Sequence, residues 1–218
     1  TKIIYSTGIA YLDKKNSRDG ELQFTKNLIT NSKIEKEDII FLPEARNTLE
    51  NFTELNKYLL ETGEKKAETG KLYKDREKMR RLILAGLSEA RKSFKGKAVI
   101  MGYCFGGAAV LELARSGKAT DISGYATFHG GLKTPEGQTY VKSTPPILVA
   151  HGGADKAIPM GQVAQLSKEL EAAGVMYKMQ IYSGAPHAFT VFGSPRYRKV
   201  ADTQSWAAFG NFLKTNLN

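Results

Sequence analysis

The chain has 218 residues, one cysteine, 41% hydrophobic residues, and 32 Lys+Arg against 22 Asp+Glu for a net charge of +10. That apolar content excludes a disordered protein and a lone cysteine excludes an internal disulfide, so a single globular domain over 1–218 in a reducing, cytoplasmic setting is expected. The longest charge-free stretch around the cysteine, Ala98 to Leu111, is 14 residues and holds three glycines, short of the roughly 20 apolar residues of a membrane span, so a soluble protein with no membrane partner is expected.

Signals are weak from Thr1 to Glu37, where Ile3 to Leu12 reads as a hairpin or an edge strand. Thr1 to Ser6 lacks the basic-then-apolar order of a signal peptide, and a start at Thr is equally consistent with a leader already removed. Asp38 to Leu42 reads as a strand stopped by Pro43, and Thr48 to Leu60 as a helix with Thr48 as N-cap. Leu72 to Phe94 reads as one long helix, its apolar side formed by Met79, Leu82, Ile83, Gly86, Leu87 and Ala90.

The second half is clearer. Lys97 to Met101 is a short apolar strand, and Ala108 to Arg115 follows it with helical spacing. Ile122 to His129 is a strand, Gly130 to Pro146 a Gly/Pro-punctuated loop, and Ile147 to Ala150 another strand. Gly161 to Ala173, with Val163, Leu166 and Leu170 at steps of three and four, is an amphipathic helix closed by Gly174. Met176 to Tyr182 is a further strand, and Ala201 to Leu213 a helix with Trp206, Phe209 and Leu213 on one stripe. Strands alternating with helices predict an α/β fold, a mostly parallel sheet flanked by helices on both faces. No repeat of 20 to 50 residues is present, which excludes solenoids and propellers.

The basic excess is spread: 21 basic and 15 acidic residues run through Lys97, and 11 and 7 from Ala98 on. Lys65-Lys66 and Arg80-Arg81 sit among Glu64, Glu68, Asp75 and Glu77, the pattern of a solvated helix face with intrahelical pairs. Nucleic acid is therefore not an expected partner, and the remaining consequence of the charge is to steer anionic substrates towards a cleft.

Gly102-Tyr103-Cys104-Phe105-Gly106-Gly107 lies between the best strand and the helix after it. This is a G-x-S-x-G nucleophile elbow with Cys for Ser. The turn forces strained dihedrals on its central residue, and side chains must be absent where strand and helix pass closely. The result is a thiol at a helix N-terminus, with the Phe105 amide as an oxyanion donor. A thiol nucleophile needs a base and the base an orienter. Of the three histidines, His129 and His151 each end a strand before Gly-Gly, whereas His187 lies in the turn-rich Ser183 to Phe189 segment after the last strand. A loop at the carboxyl edge of a sheet brings a base to an elbow, which selects His187, and Asp155 in His151-Gly152-Gly153-Ala154-Asp155 is the matching orienter. The order nucleophile, acid, histidine is that of α/β-hydrolases.

Other readings fit less well. The two His-Gly-Gly segments follow the nucleophile, whereas the lipase oxyanion motif precedes it. Spacing for a zinc site is absent, as are G-x-G-x-x-G and Walker loops, so neither a metal nor a cofactor is expected. Class I amidotransferases use a G-x-C-x-G elbow with a downstream His-x-Glu, but His187-Ala188-Phe189 lacks that carboxylate. A non-catalytic binding protein on a hydrolase scaffold is the alternative from another class.

At these residues the sequence resembles the dienelactone hydrolase family. The resemblance is carried by Gly102 to Gly107, Phe128-His129-Gly130-Gly131, Pro146 to Asp155 and Tyr182 to Phe189, and runs from about Ala67 through Gly70 to Arg76 to the C-terminus. It implies a Cys104-His187-Asp155 triad that hydrolyses small esters or lactones through a thioester. The chain also departs from the family. Where the family has a His-Glu pair that supplies a second oxyanion amide and a glutamate controlling the thiol, Phe41 to Asn47 keeps only the glutamate, which assigns those roles to Ala45 and Glu44. The substrate-carboxylate Arg between Leu60 and Ala67 has no counterpart, and Thr190-Val191-Phe192 stands where such members place another Arg. Residues 1–66 are thus an atypical part of the domain, and dienelactone itself is not the expected substrate.

Overall fold

The computed structural model describes residues 3–6, 39–42, 70–93 and 96–217. The chain divides into two compact units, Thr1–Lys74 and Asp75–Asn218. In the first, β1 (Ile3–Ser6) pairs with β2 (Ile39–Leu42) in parallel, from Ile3 opposite Ile39 to Ser6 opposite Leu42. Ile3–Ser6 is thus an edge strand, one of the two readings of Ile3 to Leu12, with its parallel partner 36 positions away; residues 7–12 lie outside the described residues. The helix expected over Thr48 to Leu60 and the residues Glu44 and Ala45 lie outside the described residues.

The second unit begins where a single long helix was expected. Residues 70–74 are helical, Asp75 is not, and α1 then runs Arg76–Ser93. Asp75 causes the break: its Oδ1 accepts the Lys78 N–H at 2.8 Å, the N-cap bond of a new helix. On α1, Met79, Ile83 and Leu87 face the core at steps of four, while Leu82 is exposed. Arg80 makes the expected intrahelical pair with Glu77 at 2.7 Å, but it also reaches the buried Glu112 at 2.7 Å. It is therefore not a purely solvated charge.

Four parallel strands follow in sequential order: β3 (Ala98–Tyr103), β4 (Ile122–Phe128), β5 (Ile147–Gly152) and β6 (Tyr177–Tyr182). Helix α2 (Phe105–Ser116) joins β3 to β4, and α3 (Met160–Ala173) joins β5 to β6, closing on Gly174 at φ 67°. The final helix, α4, covers Lys199–Leu217. Successive strand residues point to opposite faces, and the two cores follow that alternation. Tyr125, Ile147 and Val149 pack with Leu111, Leu113, Leu166 and Leu170 on one face, joined by Leu132 and Tyr140 of the loop that crosses from β4 to β5. Ala126, Phe128, Leu148 and Ala150 pack with Phe189, Ala201 and Phe209 on the other. Trp206, placed with Phe209 and Leu213 on one stripe of α4, is 49% exposed and packs against Phe128 and Phe209.

The register aligns Tyr103 with Phe128, Phe128 with Ala150, and Gly152 with Tyr182. The carboxyl ends of all four strands therefore form one edge, and the residues just past them converge there. No described helix is long and apolar enough to cross a membrane.

Candidate active site

Cys104 sits between β3 and α2 with φ 51° and ψ −117°, a conformation that costs a non-glycine residue energy. Two backbone bonds hold it: its N–H donates to the Phe128 carbonyl at 3.0 Å, and its carbonyl accepts the Ala108 N–H at 3.2 Å. Glycine is required on both sides because the chain passes itself so closely. A Cβ on Gly102 would overlap the Gly106 backbone, and one on Gly107 would overlap Thr127 Oγ1 and the Gly130 backbone. Gly106, the second glycine of the motif, would meet nothing within 4 Å among the described residues, so the close packing belongs to Gly107. Cys104 itself is exposed.

His187 and Asp155, the base and orienter expected from the sequence, stand beside it. His187 Nδ1–H donates to Asp155 Oδ2 at 2.8 Å, and its Nε2 lies 3.2 Å from Cys104 Sγ. Asp155 has a fully buried side chain, and its Oδ1 accepts the N–H groups of Ala157 and Ile158, each at 2.9 Å. Three bonds from two directions leave that carboxylate little freedom. The loop carrying His187 is tied to the loop carrying Asp155: Gly153 N–H donates to the Tyr182 carbonyl at 2.8 Å and Ala154 N–H to the Ala185 carbonyl at 3.0 Å. A Cβ on Gly152 would overlap the Ala185 carbonyl, which explains that glycine. Phe105 is the first residue of α2, so its amide lies at the helix N-terminus, directly after the cysteine.

The electrostatics favour a charged imidazole. The hydrogen bond with Cys104 raises His187, burial opposes it, and the bond and charge of Asp155 raise it further, to about 8. An imidazolium next to sulfur stabilises thiolate. The other two histidines move the opposite way. Burial lowers His129 to about 4, aided by the neighbouring His187 charge, and burial lowers His151 as well. His151 Nε2–H donates to the Ile158 carbonyl at 2.9 Å, bracing the Asp155 turn. His129 packs edge-to-face against His187, with ring centres 5.2 Å apart. Sequence reasoning passed over this contact, although the repeated His-Gly-Gly at two strand ends marked both residues. Among the described residues no group of His, Cys, Asp and Glu side chains is arranged to hold a metal ion.

The model of the dienelactone hydrolase family matches residues 50–217. The chain belongs to that family. A curated relative from Saccharolobus solfataricus named "Putative carboxymethylenebutenolidase" is 30% identical over 180 residues, which are 79% of this chain and 66% of that protein. Among solved structures, a dienelactone hydrolase-like promiscuous phosphotriesterase, P91, from metagenomic libraries is similar with a TM-score of 0.62 and 28% identity, over 70% of this chain and 67% of that one. A structure named m3DLH is similar with a TM-score of 0.61 and 27% identity over the same shares. This dienelactone hydrolase family member thus spans 66% of the length of the curated relative. Its sheet and flanking helices are those of the α/β-hydrolase fold.

Proposed function

We propose that the protein hydrolyses small carboxylic esters or lactones with Cys104 as nucleophile. One observation carries this reading: the unbroken contact from Asp155 through the His187 ring to the Cys104 sulfur. Cys104, as a thiolate beside the His187 imidazolium, bonds through Sγ to the substrate carbonyl carbon, and the carbonyl electron pair moves onto oxygen. The Phe105 amide donates to that oxyanion. When the pair returns, the C–O bond to the leaving group breaks, and the departing alkoxide takes the proton from His187. A water then gives a proton to Nε2 and adds to the thioester, and the thiolate leaves as the acid forms.

Family membership supports ester or lactone chemistry. The relative described as a promiscuous phosphotriesterase makes activated phosphotriesters a second substrate class to assay. The net charge of +10 favours anionic substrates by long-range attraction. An exposed thiol survives best in a reducing compartment, which supports a cytoplasmic protein. The test is to mix the protein with p-nitrophenyl acetate, quench in acid and locate the adduct by peptide mass spectrometry. The proposal expects one acetyl group on Cys104. Turnover with that cysteine unmodified and the acetyl group on another side chain would refute it.

A further inference from the structure

The loop that carries His187 is under backbone strain. Ala188, the next residue, has φ 63°, and His129 opposite has φ 40°; with Cys104 they are three of the four non-glycine residues with positive φ among the described residues. Strained residues persist where the surroundings over-determine them. On its amino side the loop is held by the backbone bonds to Gly153 and Ala154. On its carboxyl side, Phe189 is fully buried, its carbonyl accepts the Arg198 N–H at 3.0 Å, and Thr190 Oγ1 lies 2.9 Å from His129 Nε2.

His129 is anchored independently of that loop. It follows β4, and its N–H donates to the Ala150 carbonyl at 2.8 Å. The residue is 1% exposed, and its ring touches those of Tyr103, His187 and Phe189, with centres 5.7, 5.2 and 5.5 Å away. Nδ1 has no hydrogen-bond partner among the described residues. A buried orphan lone pair costs less than a buried orphan N–H, so Nε2 carries the proton and donates to Thr190. The family resemblance left Thr190 without a role, since it stands in the segment where an Arg is missing.

We propose that His129 is a positioning residue for His187: it clamps the His187 loop to the end of β4 through Thr190 and walls one side of the His187 ring. The clamp acts only on where Nε2 stands relative to Cys104 Sγ. It rests on the reading of Cys104 as nucleophile. A small displacement of a reacting group costs about 10- to 100-fold in rate, so loss of the clamp lowers kcat while leaving substrate binding alone.

The test pairs Thr190→Val, which removes the hydroxyl, with Thr190→Ser, which restores it, and adds His129→Phe, which keeps a ring but not the donor. Two quantities are read: kcat and KM on p-nitrophenyl acetate, and the rate of Cys104 alkylation by iodoacetamide from pH 5 to 9. Thr190→Val and His129→Phe should lower kcat about tenfold or more, hold KM within about twofold, and slow alkylation at pH 6, whereas Thr190→Ser should stay close to the parent. The clamp is overturned if folded Thr190→Val matches the parent in both kcat and alkylation, or if Thr190→Ser is as impaired as Thr190→Val. If the parent thiol alkylates at pH 6 no faster than free cysteine, the nucleophile reading fails, and the clamp falls with it.

Discussion

The His187 ring is held between an exposed sulfur and a buried carboxylate, with Nε2 3.2 Å from Cys104 Sγ and Nδ1 2.8 Å from Asp155 Oδ2. Because Asp155 fixes which nitrogen carries the proton, replacing it by Asn weakens the base without touching the thiol. Asp155→Asn should lower kcat by about 10²- to 10⁴-fold. Its amide oxygen can still accept from Ala157 and Ile158, so the urea midpoint should fall far less than the rate. Steady-state kinetics and urea unfolding of one preparation check both.

Acid should destabilise the protein through its buried neutral histidines. His129 titrates at about 4 in the folded protein against 6.5 for an ordinary His. Between those values the unfolded chain binds a proton that the folded chain does not, so stability is full above pH 6.5 and falls as pH drops towards 4. The loss from this residue is on the order of 2–3 kcal/mol, and His151 adds a loss of the same sign. Urea unfolding at pH 7 and 4.5 should show a smaller difference in His129→Phe than in the parent. An equal difference would contradict the assignment.

The glycines at the elbow should not be equivalent. Gly102→Ala and Gly107→Ala place a Cβ against backbone and should each cost about 2–3 kcal/mol or more. Gly106→Ala, inside α2 with open space, should be neutral or stabilising by up to about 1 kcal/mol. Urea midpoints rank the three.

Glu112 is fully buried on α2 and accepts hydrogen bonds from Arg80 at 2.8 Å, Arg115 at 2.9 Å and Gln138 at 2.8 Å. Burial pushes its carboxyl up, but Arg115, Gln138 and Arg80 outweigh this and hold it below the ordinary value. Glu112→Ala leaves the buried Arg115 without its carboxylate and should cost about 3–5 kcal/mol. The penalty should be seen at pH 7 and shrink as pH falls below the ordinary carboxylate range, where the parent loses the same charge. Thermal melts at pH 7 and 2.5 check it.

Much of the second unit was legible because its signals are local. β3, β4 and β5 are largely apolar runs and β6 alternates Lys178 and Gln180 with apolar residues, each with Gly or Pro close by, and Gly174 stops α3 as its position predicts. Cys104, Asp155 and His187 follow β3, β5 and β6 of one parallel sheet, so parallel pairing alone carries them to one edge. What escaped depends on contacts distant in sequence. Nothing near Ile3 indicates that it pairs with Ile39. Asp75 resembles any helix-face acid until its side chain is seen capping Lys78. Trp206 has the spacing of a core residue, but the neighbouring Ala208 and Phe209 take the buried side. The tie between His129 and Thr190 spans 61 positions, and only the closed fold reveals it.

The most direct test of the account is kcat/KM for p-nitrophenyl acetate in the parent and in Cys104→Ala. The account predicts a fall of about 10³-fold or more, the scale of losing a member of a nucleophile–base pair. Activity of Cys104→Ala within about tenfold of the parent would contradict it.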